Sequence, residues 1–187
     1  MARLFWTVYK KLTGWKIKGT VPAELKKAII LVGPHTSWKD VLIGLMARSV
    51  LQLKQARFLG KKELFDGPFG FFFRRMGGIP VDRFSNKNMV DQVVSLFEQT
   101  EAMLLALSPE GTRKKVDRLR TGFYHIAKKA GIPIILCGFD FEKKEILFAP
   151  PFFTGEDEAK DFEKIIAFFA PVKGKHPELG LEHLKTT

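Results

Sequence analysis

Within "GPHTSWKD", residues 33–40, a histidine and a carboxylate stand at a spacing that could do proton-transfer chemistry. An imidazole can take a proton from a hydroxyl, and a carboxylate beside it fixes the ring tautomer and stabilises the cation that forms. On one continuous helix, the five-residue step from His35 to Asp40 would part the side chains by roughly 140 degrees. His35, however, directly follows the apolar run "AIILV" and Gly33-Pro34. It therefore belongs to a turn at a strand end, where the chain can fold back and bring Asp40 to the ring. A second explanation covers Asp40 alone. If a helix starts near Trp38, Ser37 is its N-cap and Asp40 falls where the helix dipole favours an acid. Asp40 is thus expected with or without catalysis. Capping does not explain His35, and the carboxyl end of a strand is where open α/β sheets usually bind ligands.

Three more stretches carry candidate groups. "GGIPVDR", residues 77–83, pairs two glycines, which permit close backbone approach, with Arg83, whose guanidinium matches phosphate geometry. A surface ion pair between Asp82 and Arg83 accounts for the same residues. "SPEGTR", residues 108–113, follows the apolar run "AMLLAL"; Pro109 and Gly111 make a tight turn from which Glu110, Thr112 and Arg113 project. Ser108, Thr112 and free backbone N–H groups there can bind an anion, and Arg113 adds charge. "AGIPIILCGFD", residues 130–140, reads as a buried parallel strand whose contribution is one wall of a pocket.

Other chemistry finds little support. The single cysteine, Cys137, excludes an internal disulfide and a cysteine zinc cluster, and its place in an apolar run reads as a core thiol. There is no G-x-x-x-x-G-K-[ST] phosphate loop and no dinucleotide glycine fingerprint. His125, three residues before Lys128 on an expected helix, reads as structural. "FGFFF", 69–73, lacks the pattern of an RNA-reading sheet.

The elements that must position these groups alternate as in an α/β domain. Strands are expected at 28–33, 56–60, 102–108, 132–140 and 145–149, and helices at about 38–51, 86–100, 119–130 and 157–169. The tail after Pro171 is polar and is expected to end in loose structure. At 187 residues, with 45% hydrophobic and 27% charged, the chain fits one folded domain rather than a disordered segment.

The net charge of +11 attracts polyanions: nucleic acid, anionic headgroups or phosphorylated small molecules. It is scattered as Lys/Arg pairs, with no block of like charge marking a basic arm. No segment reaches the roughly 18–20 apolar residues that span a bilayer. "MARLFWTVYKKLTGWKIKG" lacks a signal cleavage site but sets Leu4, Phe5, Val8, Tyr9, Leu12 and Trp15 near helical spacing among basic residues. That helix can lie in a membrane interface or pack on the domain.

Together, and in this order, these stretches resemble the lysophospholipid acyltransferase family, best known for 1-acylglycerol-3-phosphate acyltransferases. "PHTSWKD" matches its HxxxxD pair through His35 and Asp40, and Gly78 to Arg83 match its G-x-x-x-x-R-like segment. Ser108 to Arg113 match its F-P-E-G-T-R block, and Ile132-Pro133-Ile134 its V-P-I strand. "GKKELF..P..G", 60–70, is also similar, so the likeness runs from about 28 to 140. Pro34 stands where many members carry Asn, and Ser108 replaces the usual Phe.

The resemblance implies a single α/β domain over 19–187, with a largely parallel central sheet flanked by helices, after a short amphipathic helix within 1–18. It implies transfer of a fatty acyl group from acyl-CoA or acyl-ACP to a hydroxyl of a lysophospholipid such as 1-acylglycerol-3-phosphate. His35 is then the general base and Asp40 holds its ring, with no covalent enzyme intermediate, cofactor or metal. Lys61, Arg83 and Arg113 hold the acceptor phosphate, and Glu110 orients the neighbouring arginine or an acceptor hydroxyl. Gly111 and Thr112 complete the binding turn, and apolar side chains from "FGFFF" line an acyl tunnel. The implied partners are the thioester donor (including acyl carrier protein), the lysolipid and an anionic membrane surface, not nucleic acid. The expected location is peripheral, on the cytoplasmic face of a membrane. Two other readings stay open: O- or N-acyl transfer to a non-phosphate lipid such as an acyl-amino-acid lipid, and a basic membrane- or nucleic-acid-binding module without turnover.

Overall fold

The run "KAIILVG" has no polar alternation, so both faces of a strand made from it must be covered, as inside a parallel sheet. It forms β2 (Lys27–Gly33) in a seven-stranded sheet. The computed structural model describes residues 2–81 and 88–186. The other strands are β1 (Lys16–Lys18), β3 (Ala56–Lys61), β4 (Gly78–Val81), β5 (Met103–Leu107), β6 (Ile134–Asp140) and β7 (Glu145–Phe148). Their order is β1-β7-β6-β2-β5-β3-β4. From β6 to β4 all neighbours are parallel; β7 runs antiparallel to β6, and β1 pairs parallel with β7.

Successive side chains of β2 point to opposite faces and enter two cores. Ile29 and Leu31 pack with α5 (Met89–Gln99), α6 (Gly122–Ala130) and α7 (Glu158–Phe169). Ala28 and Ile30 pack with Ile43, Met46 and Ala47 of α2 (Lys39–Val50). On that second face α1 (Ala2–Thr13) lies against α2 and turns Trp6 and Tyr9 inward. The result is the expected α/β domain with a mostly parallel sheet between helices.

Several local differences have plain physical causes. The expected helical segment 1–18 is helical only to Thr13, and Lys16–Lys18 adds an edge strand by pairing with Glu145–Leu147. The third expected helix starts at Gly122 rather than 119, because the Arg120 N–H donates to Pro109 O (2.8 Å) instead of entering a helix. The "KKELF" and "GFFFRR" stretches form short helices, α3 (Lys62–Asp66) and α4 (Gly70–Arg75), too brief to show a period. Gly78 does serve close approach: a Cβ there would lie 2.7 Å from the Phe65 ring of α3. The tail after Pro171 is not loose; Val172, Leu181 and Leu184 are buried, and two 3-10 turns, Pro177–Leu179 and Glu182–Thr186, fold it back.

Neighbouring parallel strands β2, β5, β3 and β4 deliver their carboxyl ends to one edge of the sheet. His35 follows β2, the "SPEGTR" turn follows β5, Lys61 ends β3, and β4 stops at Val81, two residues before Arg83.

Candidate active site

The turn between β2 and α2 folds back on Asp40. The Gly33–Pro34 peptide is cis, and His35 Nδ1 lies 2.9 Å from Asp40 Oδ2. That oxygen also accepts the N–H groups of Thr36 and Ser37, each at 3.0 Å. Ser37 Oγ accepts the Lys39 N–H at 3.3 Å. A capping-box exchange therefore exists in substance, although the helix begins at Lys39, one residue later than expected, with Trp38 at the cap position. One oxygen of Asp40 makes both the ring contact and the helix-start contacts. Its other oxygen, Oδ1, is buried with no hydrogen-bond partner among the described residues. With Nδ1–H directed at the carboxylate, the His35 Nε2 lone pair is left to accept a proton. The His35 side chain keeps 28% of its surface exposed while Asp40 keeps 3%, so the ring is reachable and its partner is shielded.

Glu110 holds the same turn from the next strand. It is 2% exposed; Oε1 accepts the His35 N–H at 2.7 Å and Oε2 accepts the Ser108 hydroxyl at 2.8 Å. The sequence pointed this carboxylate at an arginine or an acceptor hydroxyl. Instead, the Pro109 turn abuts the end of β2 (a Cβ on Gly33 would lie 3.4 Å from Pro109 Cγ) and closes Glu110 inside. Burial pushes the Glu110 pKa above its ordinary 4.5, against the opposing pull of the hydrogen bonds from His35 N–H and Ser108. A raised carboxyl pKa means the folded chain binds the proton more tightly than the unfolded chain. The Glu110 contribution is therefore full below pH 4.5 and is lost as pH rises through the folded value. Glu110→Gln, neutral throughout, is expected to gain stability relative to the parent as pH climbs from 4 to 7. Denaturant midpoints across that range check this; a constant difference would contradict it.

The remaining expected residues are placed as follows. Gly111 adopts φ +66°, a left-handed turn conformation suited to glycine. Thr112 Oγ1 accepts the Lys114 N–H at 3.3 Å, and Arg113 is exposed. The Pro109–Arg120 backbone bond closes this segment into a loop that exposes Arg113, Lys114, Lys115, Arg118 and Arg120. Lys61 is exposed at the end of β3, two strands from β2. Arg83 lies outside the described residues. The structure thus joins His35, Asp40 and Glu110 in one bonded network and sets Gly111, Thr112 and Arg113 next to it along the chain. Phe69, Phe71 and Phe72 are exposed, on the surface rather than around a tunnel.

Sequence reasoning missed two supports. Ser108 is a hydrogen-bond donor to Glu110 that a phenylalanine could not be, so the departure from the family pattern was the available signal. Thr36 Oγ1 accepts the His176 N–H at 3.1 Å from 140 residues away, which no local pattern announces. Cys137 is buried, and burial pushes its thiol pKa up, away from a reactive thiolate. Among the described residues no cluster of three His, Cys, Asp or Glu side chains is arranged to ligate a metal.

A family model described as Acyltransferase matches residues 15–139. In fold, the chain is similar to the crystal structure of the 1-acyl-sn-glycerophosphate (LPA) acyltransferase PlsC from Thermotoga maritima. The TM-score is 0.61 at 16% identity, over 100% of this chain and 79% of that one. No curated protein sequence matches.

Proposed function

The chain belongs to the acyltransferase family, and from that premise we propose that it moves a fatty acyl group from an acyl thioester to a lysophospholipid hydroxyl. The observation that carries this reading is the 2.9 Å contact between His35 Nδ1 and Asp40 Oδ2, which leaves Nε2 as the base. In the step we propose, Nε2 takes the hydroxyl proton as the oxygen attacks the thioester carbonyl. The tetrahedral intermediate collapses, the C–S bond breaks, and the thiolate leaves with the proton from Nε2. Asp40 stabilises the imidazolium between the two transfers. The donor is acyl-CoA or acyl-ACP, and the acceptor is 1-acylglycerol-3-phosphate or a close relative. Arg113, Arg83 and Lys61 supply cations for its phosphate. The assay is thiol release from acyl-CoA: it is expected to require lysophosphatidate, and release indifferent to any acceptor would contradict the proposal.

Acceptor chemistry separates this reading from transfer to a non-phosphate lipid. Arg83→Ala is expected to raise the lysophosphatidate KM by about tenfold or more, since hydrogen bonds to charged groups are worth about 1.5–3 kcal/mol. An unchanged KM favours the non-phosphate acceptor. A binding module without turnover would instead show steeply salt-dependent binding that ignores His35.

The proposed setting is an anionic membrane surface. No helix among the described residues is long and apolar enough to cross a bilayer. Helix α1, however, turns Leu4, Phe5, Val8 and Leu12 outward, with Lys10 and Lys11 in its last turn. An outward apolar stripe flanked by cations suits an anionic lipid interface. Replacing Phe5 and Leu12 with Ser is expected to cut partition onto anionic vesicles by at least about tenfold, because a fully buried apolar side chain contributes about 1.5–3 kcal/mol. Both side chains point to solvent, so the fold is expected to survive. Vesicle co-sedimentation reads the effect; unchanged binding would exclude α1 as the contact.

A further inference from the structure

After α7 the chain crosses the carboxyl ends of β6 and β2. Val172 is buried beside Gly138, where a Cβ would meet Val172 Cγ2 at 3.1 Å, and the Phe141 N–H donates to Lys173 O at 2.8 Å. Gly174 is buried against the His35 turn. A Cβ at that position would lie 2.7 Å from Thr36 Oγ1, 2.8 Å from Thr36 Cγ2 and 3.4 Å from Pro34 Cγ. Two residues on, the His176 N–H donates to Thr36 Oγ1. The crossing is fixed further along, where Leu181 and Leu184 enter the core and Lys173 pairs with Glu182.

We infer that Val172–His176 is a strap that positions the proton-transferring turn, with Gly174 and Thr36 as its point of contact. The inference rests on His35 as the base. Thr36 is the link: its N–H donates to Asp40 Oδ2 and its hydroxyl is held by the strap, so a shift of Thr36 moves the shell that orients the imidazole. The strap lies beyond residues 15–139, the span that the family model matches.

Gly174→Ala tests the contact. Its Cβ would stand about 0.7 Å inside ordinary contact with Thr36, which begins at 3.4 Å, so the turn must give. A misplacement near 1 Å can cost about 10²-fold, so kcat is expected to fall by about 10- to 100-fold while the lysolipid KM holds. Adding Thr36→Ala removes both clashing atoms, and the double variant is expected to exceed Gly174→Ala alone. Wild-type kcat in Gly174→Ala, or losses that simply multiply in the double variant, would overturn the strap. The His35 ring resonances report the Asp40 contact without turnover. They are expected to move in Gly174→Ala and to come part of the way back in the double variant, which relieves the clash but still lacks the Thr36 hydroxyl. If the parent protein proves inactive yet shows that movement and partial return, the catalytic reading fails and the strap stands. Unmoved resonances overturn the strap. Should Gly174→Ala not fold, Thr36→Val keeps the shape and removes the acceptor of the His176 N–H. It is expected to lower kcat several-fold and shift the same resonances; no change in either overturns the inference.

Discussion

His35→Ala is expected to lower kcat/KM by about 10²–10⁴-fold, the usual contribution of a positioned general base, while the protein still melts cooperatively. The side chain is partly exposed and, among the described residues, its hydrogen bond goes to Asp40, so truncation opens no core cavity. The backbone N–H at position 35 keeps Glu110 as its acceptor, and Asp40 keeps the N–H groups of Thr36 and Ser37. What is lost is the imidazole nitrogen at the carboxyl end of β2. Steady-state transfer rates beside a thermal melt check this. A folded variant that keeps most of its activity would remove His35 from the mechanism.

Asp40→Asn is expected to be nearly as damaging to rate and to cost stability as well. An asparagine can offer one oxygen to the N–H groups of Thr36 and Ser37, so the turn keeps its shape. It carries no charge to stabilise the imidazolium. With the amide oxygen in the place of Oδ2, the ring keeps its acceptor at Nδ1, and what is lost is the negative charge beside the imidazolium. A fall in kcat of about 10²-fold or more is expected from that loss. Loss of the acid at the helix start should lower stability by about 0.3–1 kcal/mol. Paired kinetics and denaturant unfolding separate the effects. A stability loss without a rate loss would leave Asp40 as a cap only.

The parts of this molecule that were legible in the sequence are those written in neighbouring residues. Continuous apolar runs such as "AIILV" and "IPIIL" marked β2 and β6, because a strand covered on both faces needs no alternation. His35 and Asp40 were legible because a turn of five residues joins them. Glu110 was legible as a turn residue after β5 but not in its contacts, since its partner N–H stands 75 residues away in the turn after β2. The polar tail gave no sign of its packing: Val172, Leu181 and Leu184 are too widely spaced to form a periodic pattern, yet they anchor it. Helices α3 and α4, five and six residues long, carry too few turns to show one.

The central claim is acyl transfer to a lysolipid hydroxyl through His35. Mass spectrometry of products tests it most directly, after the protein is incubated with isotope-labelled acyl thioesters and a panel of lysolipids, beside His35→Ala. One labelled diacyl phospholipid is expected, formed from a phosphate-bearing lysolipid by the parent protein and absent with the variant. Equal product from the variant, or label found only on a non-phosphate lipid, would contradict it.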